Sequence, residues 1–352
     1  MAIMKESFGT TKDGVRVYLY TMKNGNGMEV SVTDYGANIV RLLVPDRFGR
    51  FADVVLGYDT VEGYEKNGPG YGSFIGRHAN RIGGACVVLD GRRYELEKND
   101  GSNNLHSGSR GFNKYVYQAA LSDGRDASSV EFSRLSADME QGLPGNLEVA
   151  VRYTLTEKNE LVLEYSAVSD KETVINLTNH SYFNLAGHAS GDVLGHQVRV
   201  HADSFTPTSD DLIPTGEIRD VTGTPMNFRE FRQVGEEIDS DYIPLRQAGG
   251  YDHNYCLSGK DNGLTLAAEL WEEESGRYMQ VYTDLPGMQL YTGNFIQGDE
   301  RGKEGCCYFR RGGICFETQY YPNACNIPAF PSDIFKAGEA YHSTTIYRFG
   351  IR

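Results

Sequence analysis

Basic residues are in short supply in this chain. Lys and Arg number 34 against 48 Asp and Glu, which leaves a formal charge of -14 at pH 7. Nucleic-acid binding rests on cations neutralising phosphates, so that class is excluded. An anionic membrane surface is excluded for the same reason. No apolar run approaches the roughly 20 residues of a membrane helix. The stretch from Met1 to Gly14 lacks the apolar core of a secretion signal. Cysteines are few: Cys86, Cys256, Cys306, Cys307, Cys315 and Cys325, with no Cys-x-x-Cys pair. They read as reduced thiols of a cytoplasmic protein. The sequons at Asn176-Leu177-Thr178 and Asn179-His180-Ser181 are then coincidental. Also missing are a Gly-x-Gly-x-x-Gly fingerprint, a P-loop, a His-Glu-x-x-His helix and a Gly-x-Ser-x-Gly elbow. Dinucleotide enzymes, P-loop NTPases, zincins and α/β-hydrolases are set aside accordingly.

What the chain has in quantity is tyrosine (23), phenylalanine (16) and glycine (41). Aromatic and β-branched residues suit a pleated, half-buried surface, and glycine suits tight turns. From Leu147 to Leu155 every odd position is apolar, and Leu161, Leu163 and Tyr165 resume the alternation after Lys158-Asn159. Period two over this length predicts strands with one buried face. Asn24-Gly25-Asn26-Gly27, Asp90-Gly91 and Asp123-Gly124 each adjoin strand-like runs and accept the positive φ angles of hairpin turns. Further strands are predicted at 39–44, 54–58, 193–202, 264–270, 278–283, 313–319 and 344–349. Helix signals are scarce, and Phe228 to Ile238 is the best candidate for one or two turns. Strands in succession without long helices predict an all-β fold, a large antiparallel sandwich. No repeat or linker divides the chain, so residues 1–352 are expected to form a single domain. Asp59–Ser73 and Asp203–Thr224 are long irregular stretches, which in compact domains are often functional loops.

Polar clusters interrupt the strands. The densest is Ile175-Asn176-Leu177-Thr178-Asn179-His180-Ser181-Tyr182-Phe183-Asn184-Leu185. A sandwich core has little use for so many groups that each need a partner when buried. His180 is the side chain there whose ordinary pKa, about 6.5, suits proton transfer near neutrality. Others are Gly76–Ile82 with Asn80 and Arg81, Asn103–Gly108 with His106, Gly249–Tyr255 with Asp252, Pro286–Phe295 with Gln289, and Gly313–Asn323 with Glu317. Glu317 follows Ile314, Cys315 and Phe316 on an apolar strand, where a carboxylate needs a partner or its pKa rises. Histidines, carboxylates, a guanidinium, amides and aromatic faces together suit a polyhydroxylated ligand.

The chain resembles the aldose 1-epimerase, or galactose mutarotase, family from about Gly9 to its end. The resemblance is carried by Gly76-Arg77-His78-Ala79-Asn80-Arg81-Ile82, Leu89-Asp90-Gly91, Asn104-Leu105-His106, the stretch from Asn176 to Leu185, Ile213-Pro214-Thr215-Gly216-Glu217 and Glu317-Thr318-Gln319, in the family's order. It implies a β-supersandwich and interconversion of the α and β anomers of free aldoses, with no metal and no cofactor. By position, Glu317 matches the family's general base and His180 its general acid. His106 matches a second histidine near the ring oxygen. Asn80, Arg81, Asp252 and Gln289 match residues that hold sugar hydroxyls, and Tyr182 is a further candidate beside His180. Ser107 stands where the family usually has glycine, and Lys114-Tyr115-Val116 where a tryptophan is common. Both departures bear on the rim of the site.

Two other readings follow from the same residues. His106, His180, Asp252 and Glu317 are metal-ligand types, though no two have short ligand spacing. A carbohydrate-binding protein of the same fold would keep the cleft without turnover. The pairing of Glu317 with His180 favours an enzyme over a binder. His78, His188, His196, His201 and His342 are assigned to surface or satisfied-core positions, and strand alternation turns His253 away from Asp252. The expected partner is a small sugar, and the expected state a monomer or weak homodimer.

Overall fold

The alternating segments build a nine-stranded antiparallel sheet. Across it run Gln118–Asp123, Ala127–Ser136, Leu147–Thr156, Glu160–Ser169, Ala340–Ile351, Arg277–Thr283, Thr265–Trp271, Gln197–Val200 and Arg232–Gln233. This is seen in a computed structural model that describes residues 3–124, 126–257, 263–298 and 301–352. Leu155 pairs with Leu161, Tyr153 with Leu163 and Val151 with Tyr165, and all six are buried. Each such side chain removed from water stabilises the fold by about 1.5–3 kcal/mol.

A second sheet joins Ile3–Thr10, Arg16–Lys23, Glu29–Thr33, Ile39–Pro45 and Phe51–Asp53 in chain order. It packs on the long sheet: the Tyr20 ring meets Phe132 edge-on at 5.6 Å, and the Tyr153 hydroxyl donates to the carbonyl of Ala37 at 2.7 Å. The turns at Asn24–Gly27, Asp90-Gly91 and Lys158-Asn159 all close hairpins, with Asn159 at φ 58°.

The third sheet positions the site. It runs Arg219–Asp220, Ser204–Phe205, Asp252–Cys256, Gly287–Tyr291, Cys315–Gln319. Asp252 pairs with Tyr291, which pairs with Cys315; Asn254 pairs with Gln289, which pairs with Glu317. Because side chains alternate along a strand, these residues share one face. The opposite face carries Tyr255, Met288, Leu290 and Phe316, all buried. It meets the long sheet, where the Tyr347 hydroxyl donates to the carbonyl of Phe316 and Thr318 Oγ1 lies 2.5 Å from Thr345 Oγ1. One face is thus core and the other polar. The architecture is the all-β antiparallel supersandwich expected.

The helices differ from expectation. Phe228–Ile238 is not helical: it holds the two-residue strand Arg232–Gln233 among turns. The Val234 amide bonds the His196 carbonyl, and the Arg232 guanidinium lies 4.5 Å from the Phe228 ring centroid, so tertiary contacts claim this segment. The α-helices among the described residues are Val61–Lys66 and Ile243–Ala248. Neither is long or apolar enough to cross a membrane.

Candidate active site

The polar face of the third sheet floors a cavity of about 640 Å³, a volume within the usual range for small-molecule sites. Asn80, Arg81, His106, His180, Tyr182, Asp252 and Glu317 all line it. Gln289 does not. It pairs with Glu317 on the same face, and its Nε2 donates to Asp252 Oδ1 at 2.6 Å.

His180 ends the strand Thr178–His180, which pairs with Ser73–Ile75. Its Nε2 lies 3.6 Å from Glu317 Oε1. Its Nδ1 lies 3.5 Å from the sulfur of Cys315, and its ring stacks on Tyr182 at 4.9 Å and 28°. Burial pulls the His180 pKa down to about 4. Burial pushes that of Glu317 well above the carboxylate range, and the charge of Asp252 adds to the rise while Arg81 opposes it. Asp252 is raised for the same reason, with Arg81 and Gln289 opposing. Glu317 Oε2 is buried without a hydrogen-bond partner among the described residues.

The apolar setting of Glu317 in the sequence already predicts a raised pKa, whereas the roles of base and acid call for a carboxylate and an imidazolium. The low-dielectric cavity disfavours both, so the pair is best described as two groups sharing a single proton.

His106 is held differently. Its Nδ1 accepts the backbone N–H of Asn80 at 3.1 Å. That nitrogen is therefore unprotonated, and the neutral ring carries its proton on Nε2. Burial and the neighbouring His180 keep its pKa well below the ordinary histidine value. Asn80 sits at φ 64°, and its side-chain oxygen accepts the Arg81 amide at 2.8 Å. Arg81 donates from Nε to Asp100 Oδ2 at 2.7 Å, which orients the guanidinium along the cavity wall.

Serine at position 107 has a local explanation. Its φ of 66° is a glycine conformation, yet its Oγ accepts the His78 amide at 2.7 Å and donates to the His78 carbonyl at 3.2 Å. Lys114 lines the cavity, and its ammonium donates to the carbonyls of Tyr64, Glu65 and Lys66 at 2.9–3.2 Å. It caps the end of the Val61–Lys66 helix.

Other wall residues were not named individually from the sequence, although most lie in the Asp59–Ser73 stretch and the Pro286–Phe295 cluster. Tyr71, Tyr291, Phe295 and Tyr308 line the cavity, as do Asn67, Pro69 and Gly70 of the irregular Asp59–Ser73 stretch. The Tyr182 hydroxyl donates to the Pro69 carbonyl at 2.7 Å, so Tyr182 anchors that wall. Gly72 closes it at φ 68°, where a Cβ would lie 2.0 Å from the carbonyl oxygen of Ile39. Cys315 was legible by alternation, being two residues from Glu317 on the same strand face.

The other histidines lie elsewhere. His253 packs edge-on against Phe205, away from the cavity. His196 accepts the Leu185 amide, and His201 contacts Glu269. His78 is buried beside Asp333, His188 is buried beside Tyr308, and His342 is exposed.

Comparison with known proteins gives this geometry a family. The sequence model of the family described as aldose 1-epimerase matches residues 18–348. The chain belongs to the aldose 1-epimerase family. Among its curated relatives, galactose mutarotase of Bos taurus is 41% identical over 352 residues, covering 100% of this chain and 99% of the relative. Aldose 1-epimerase of Escherichia coli K12 is 35% identical over 350 residues, covering 99% of each. The crystal structure of galactose 1-epimerase from Lactobacillus acidophilus NCFM superposes with a TM-score of 0.87 at 26% identity, covering 99% of each chain. That likeness covers 99% of this chain, and the cavity lies on the polar face of the third sheet.

Proposed function

We propose that this protein interconverts the α and β anomers of a free aldose by general acid–base catalysis, with Glu317 and His180 as the catalytic pair. The observation that carries this reading is their 3.6 Å approach on the wall of a sugar-sized cavity. Anomerisation breaks the bond between C1 and the ring oxygen. The C1 hydroxyl and the ring oxygen share one carbon, so two groups this close reach both.

From the form in which the shared proton sits on His180, Glu317 takes the proton of the C1 hydroxyl while His180 gives its own to the ring oxygen. The ring opens to an aldehyde, and the pair becomes a protonated carboxyl and a neutral imidazole. Rotation about C1–C2 presents the other carbonyl face, and the transfers reverse. The protons balance without a metal or cofactor. The cavity's low dielectric favours the uncharged pair that ring opening produces, in line with the raised Glu317 and lowered His180. Each group is expected to contribute about 10²–10⁴-fold.

His106, with its proton on Nε2, donates to a sugar oxygen near the ring. Asn80, Arg81 and Asp252 hold the remaining hydroxyls and keep C1 between the catalytic groups. Gln289 fixes Asp252, and Tyr182 supports the His180 ring from beneath. Hexoses such as galactose and glucose are the proposed substrates, in a cytoplasmic setting.

Polarimetry on freshly dissolved α-D-galactose and α-D-glucose tests the reading. The purified protein is expected to accelerate the decay of rotation, and His180→Asn to remove most of that acceleration. Saturable sugar binding with only the spontaneous rate would instead identify a non-catalytic binder.

A further inference from the structure

A second cluster of chemically able side chains lies outside the sugar cavity. A ring nitrogen of His78, the sulfur of Cys325 and a carboxylate oxygen of Asp333 lie within 4.8 Å of one another. They come from three separate segments. His78 belongs to the loop that delivers Asn80 and Arg81, Cys325 to the short helical turn Ala324–Asn326, and Asp333 immediately precedes the strand Ile334–Phe335. His78 and Asp333 are fully buried, and His78 Nε2 lies 2.9 Å from Asp333 Oδ2. That one contact leaves His78 Nδ1 and Asp333 Oδ1 without hydrogen-bond partners among the described residues. A buried carboxylate with an orphan oxygen, set beside an imidazole and a thiol, calls for an explanation such as an ion; His78 Nδ1, across the ring from Nε2, stays without a partner among the described residues either way.

We propose that His78, Cys325 and Asp333 bind a zinc-class divalent cation that ties the Asn80–Arg81 loop to the C-terminal part of the chain. The donor set, one imidazole, one thiolate and one carboxylate, is the mixture zinc accepts, and magnesium or calcium would not select the sulfur. The charges close: thiolate and carboxylate together balance a divalent ion. Binding releases the thiol proton, so metal uptake acidifies the solution. Tetrahedral zinc with bonds of about 2.0–2.1 Å places nitrogen and oxygen ligands roughly 3.3 Å apart. The His78–Asp333 contact at 2.9 Å need open only slightly as the metal replaces the proton between them.

The site has a mechanical consequence for its neighbours. The His78 amide and carbonyl are both bonded to Ser107 Oγ, and the Ala79 amide bonds the Asn176 carbonyl. Fixing the His78 ring therefore fixes the backbone on either side of the cavity's Asn80 and His106. The same three residue types also form nucleophilic triads. Here none of them lines either of the described cavities.

Cobalt(II) titration of chelator-treated full-length protein tests the assignment. Equimolar uptake is expected, with the near-ultraviolet sulfur-to-cobalt charge-transfer band of a thiolate ligand and a matching release of protons. Cys325→Ser is expected to abolish the band, and Asp333→Asn to weaken zinc binding by at least about 10–100-fold, the range seen even for outer-shell partners. Cys315→Ser, beside the catalytic histidine, is expected to leave the band intact. Mutarotation by Cys325→Ser, at a partly buried position, reports that the variant is folded. Absence of the band in the parent protein at millimolar cobalt overturns the proposal, as does its persistence in Cys325→Ser.

Discussion

Replacing Glu317 by glutamine separates chemistry from stability at one atom. The amide keeps the shape of the side chain and cannot accept the C1 proton as a base. Loss of one general base costs about 10²–10⁴-fold, or about 2.7–5.4 kcal/mol at 1.36 kcal/mol per decade. Stability should move the other way. The folded state raises the Glu317 pKa well above its ordinary 4.5, through burial and then Asp252. A group with a raised folded pKa contributes stability below the unfolded pKa, and that contribution is lost as pH rises through the folded value. At neutral pH the parent protein therefore carries a penalty that the amide does not. The amide leaves a polar atom at the Oε2 position as well, so the gain expected of Glu317→Gln at pH 7 is that of removing the titration, about 1.4 kcal/mol for each pH unit by which folding raises the pKa toward 7. The gain should shrink on acidification toward pH 4.5. Polarimetry gives the rate and urea unfolding at several pH values gives the stability. A variant that lost rate and stability together would make Glu317 a structural residue, and one that kept the parental rate would remove the base from the mechanism.

The pH profile of kcat/KM should be a wide plateau whose limbs are inverted from habit. Adding a second proton to the pair requires His180, at about 4, so the acid limb should fall there, and an acid limb near the ordinary histidine value of 6.5 would refute the shared-proton description. The alkaline limb should report loss of the shared proton and shift in Asp252→Asn, because Asp252 helps to hold that proton on Glu317. Arg81→Lys keeps the charge but loses the planar fork; KM for galactose is expected to rise by about 10–100-fold, equivalent to one charged hydrogen bond, with a smaller change in kcat. Arg77 is fully buried, with its guanidinium donating to the carbonyls of Ser136, Ala137, Leu143, Pro144 and Gly145. Arg77→Ala should cost at least about 3–5 kcal/mol in chemical denaturation, and parental stability would show those carbonyls to be satisfied without it.

Local chemistry made much of the fold legible. The hairpins at Asn24–Gly27, Asp90-Gly91 and Lys158-Asn159 were readable because their turn residues specify backbone angles directly. So were the strands at Leu147–Thr156 and Glu160–Ser169, where period two runs unbroken. The two short helices were missed for opposite reasons. Val61–Lys66 contains Gly63 and is too short to show a period. Ile243–Ala248 did carry signals, a proline at its start and the left-handed Gly249 at its end. Among the site residues, His180, Glu317, His106, Asn80, Arg81, Asp252 and Tyr182 stood out as polar groups in apolar surroundings, and all reach the cavity. Gln289 looked equivalent and shares their face, but its amide is taken up by Asp252 and it does not line the cavity. Tyr71 and Tyr308 carried no signal, since in a chain with 23 tyrosines one more is unremarkable.

The position of Ala340–Ile351 has a consequence for how the molecule is made. This last segment lies between Glu160–Ser169 and Arg277–Thr283, in the interior of the long sheet. During synthesis the two halves of that sheet stay apart, each with an unsealed edge, until Ala340–Ile351 has been made. A variant lacking Ala340–Ile351 would leave two edges open to pairing with other chains.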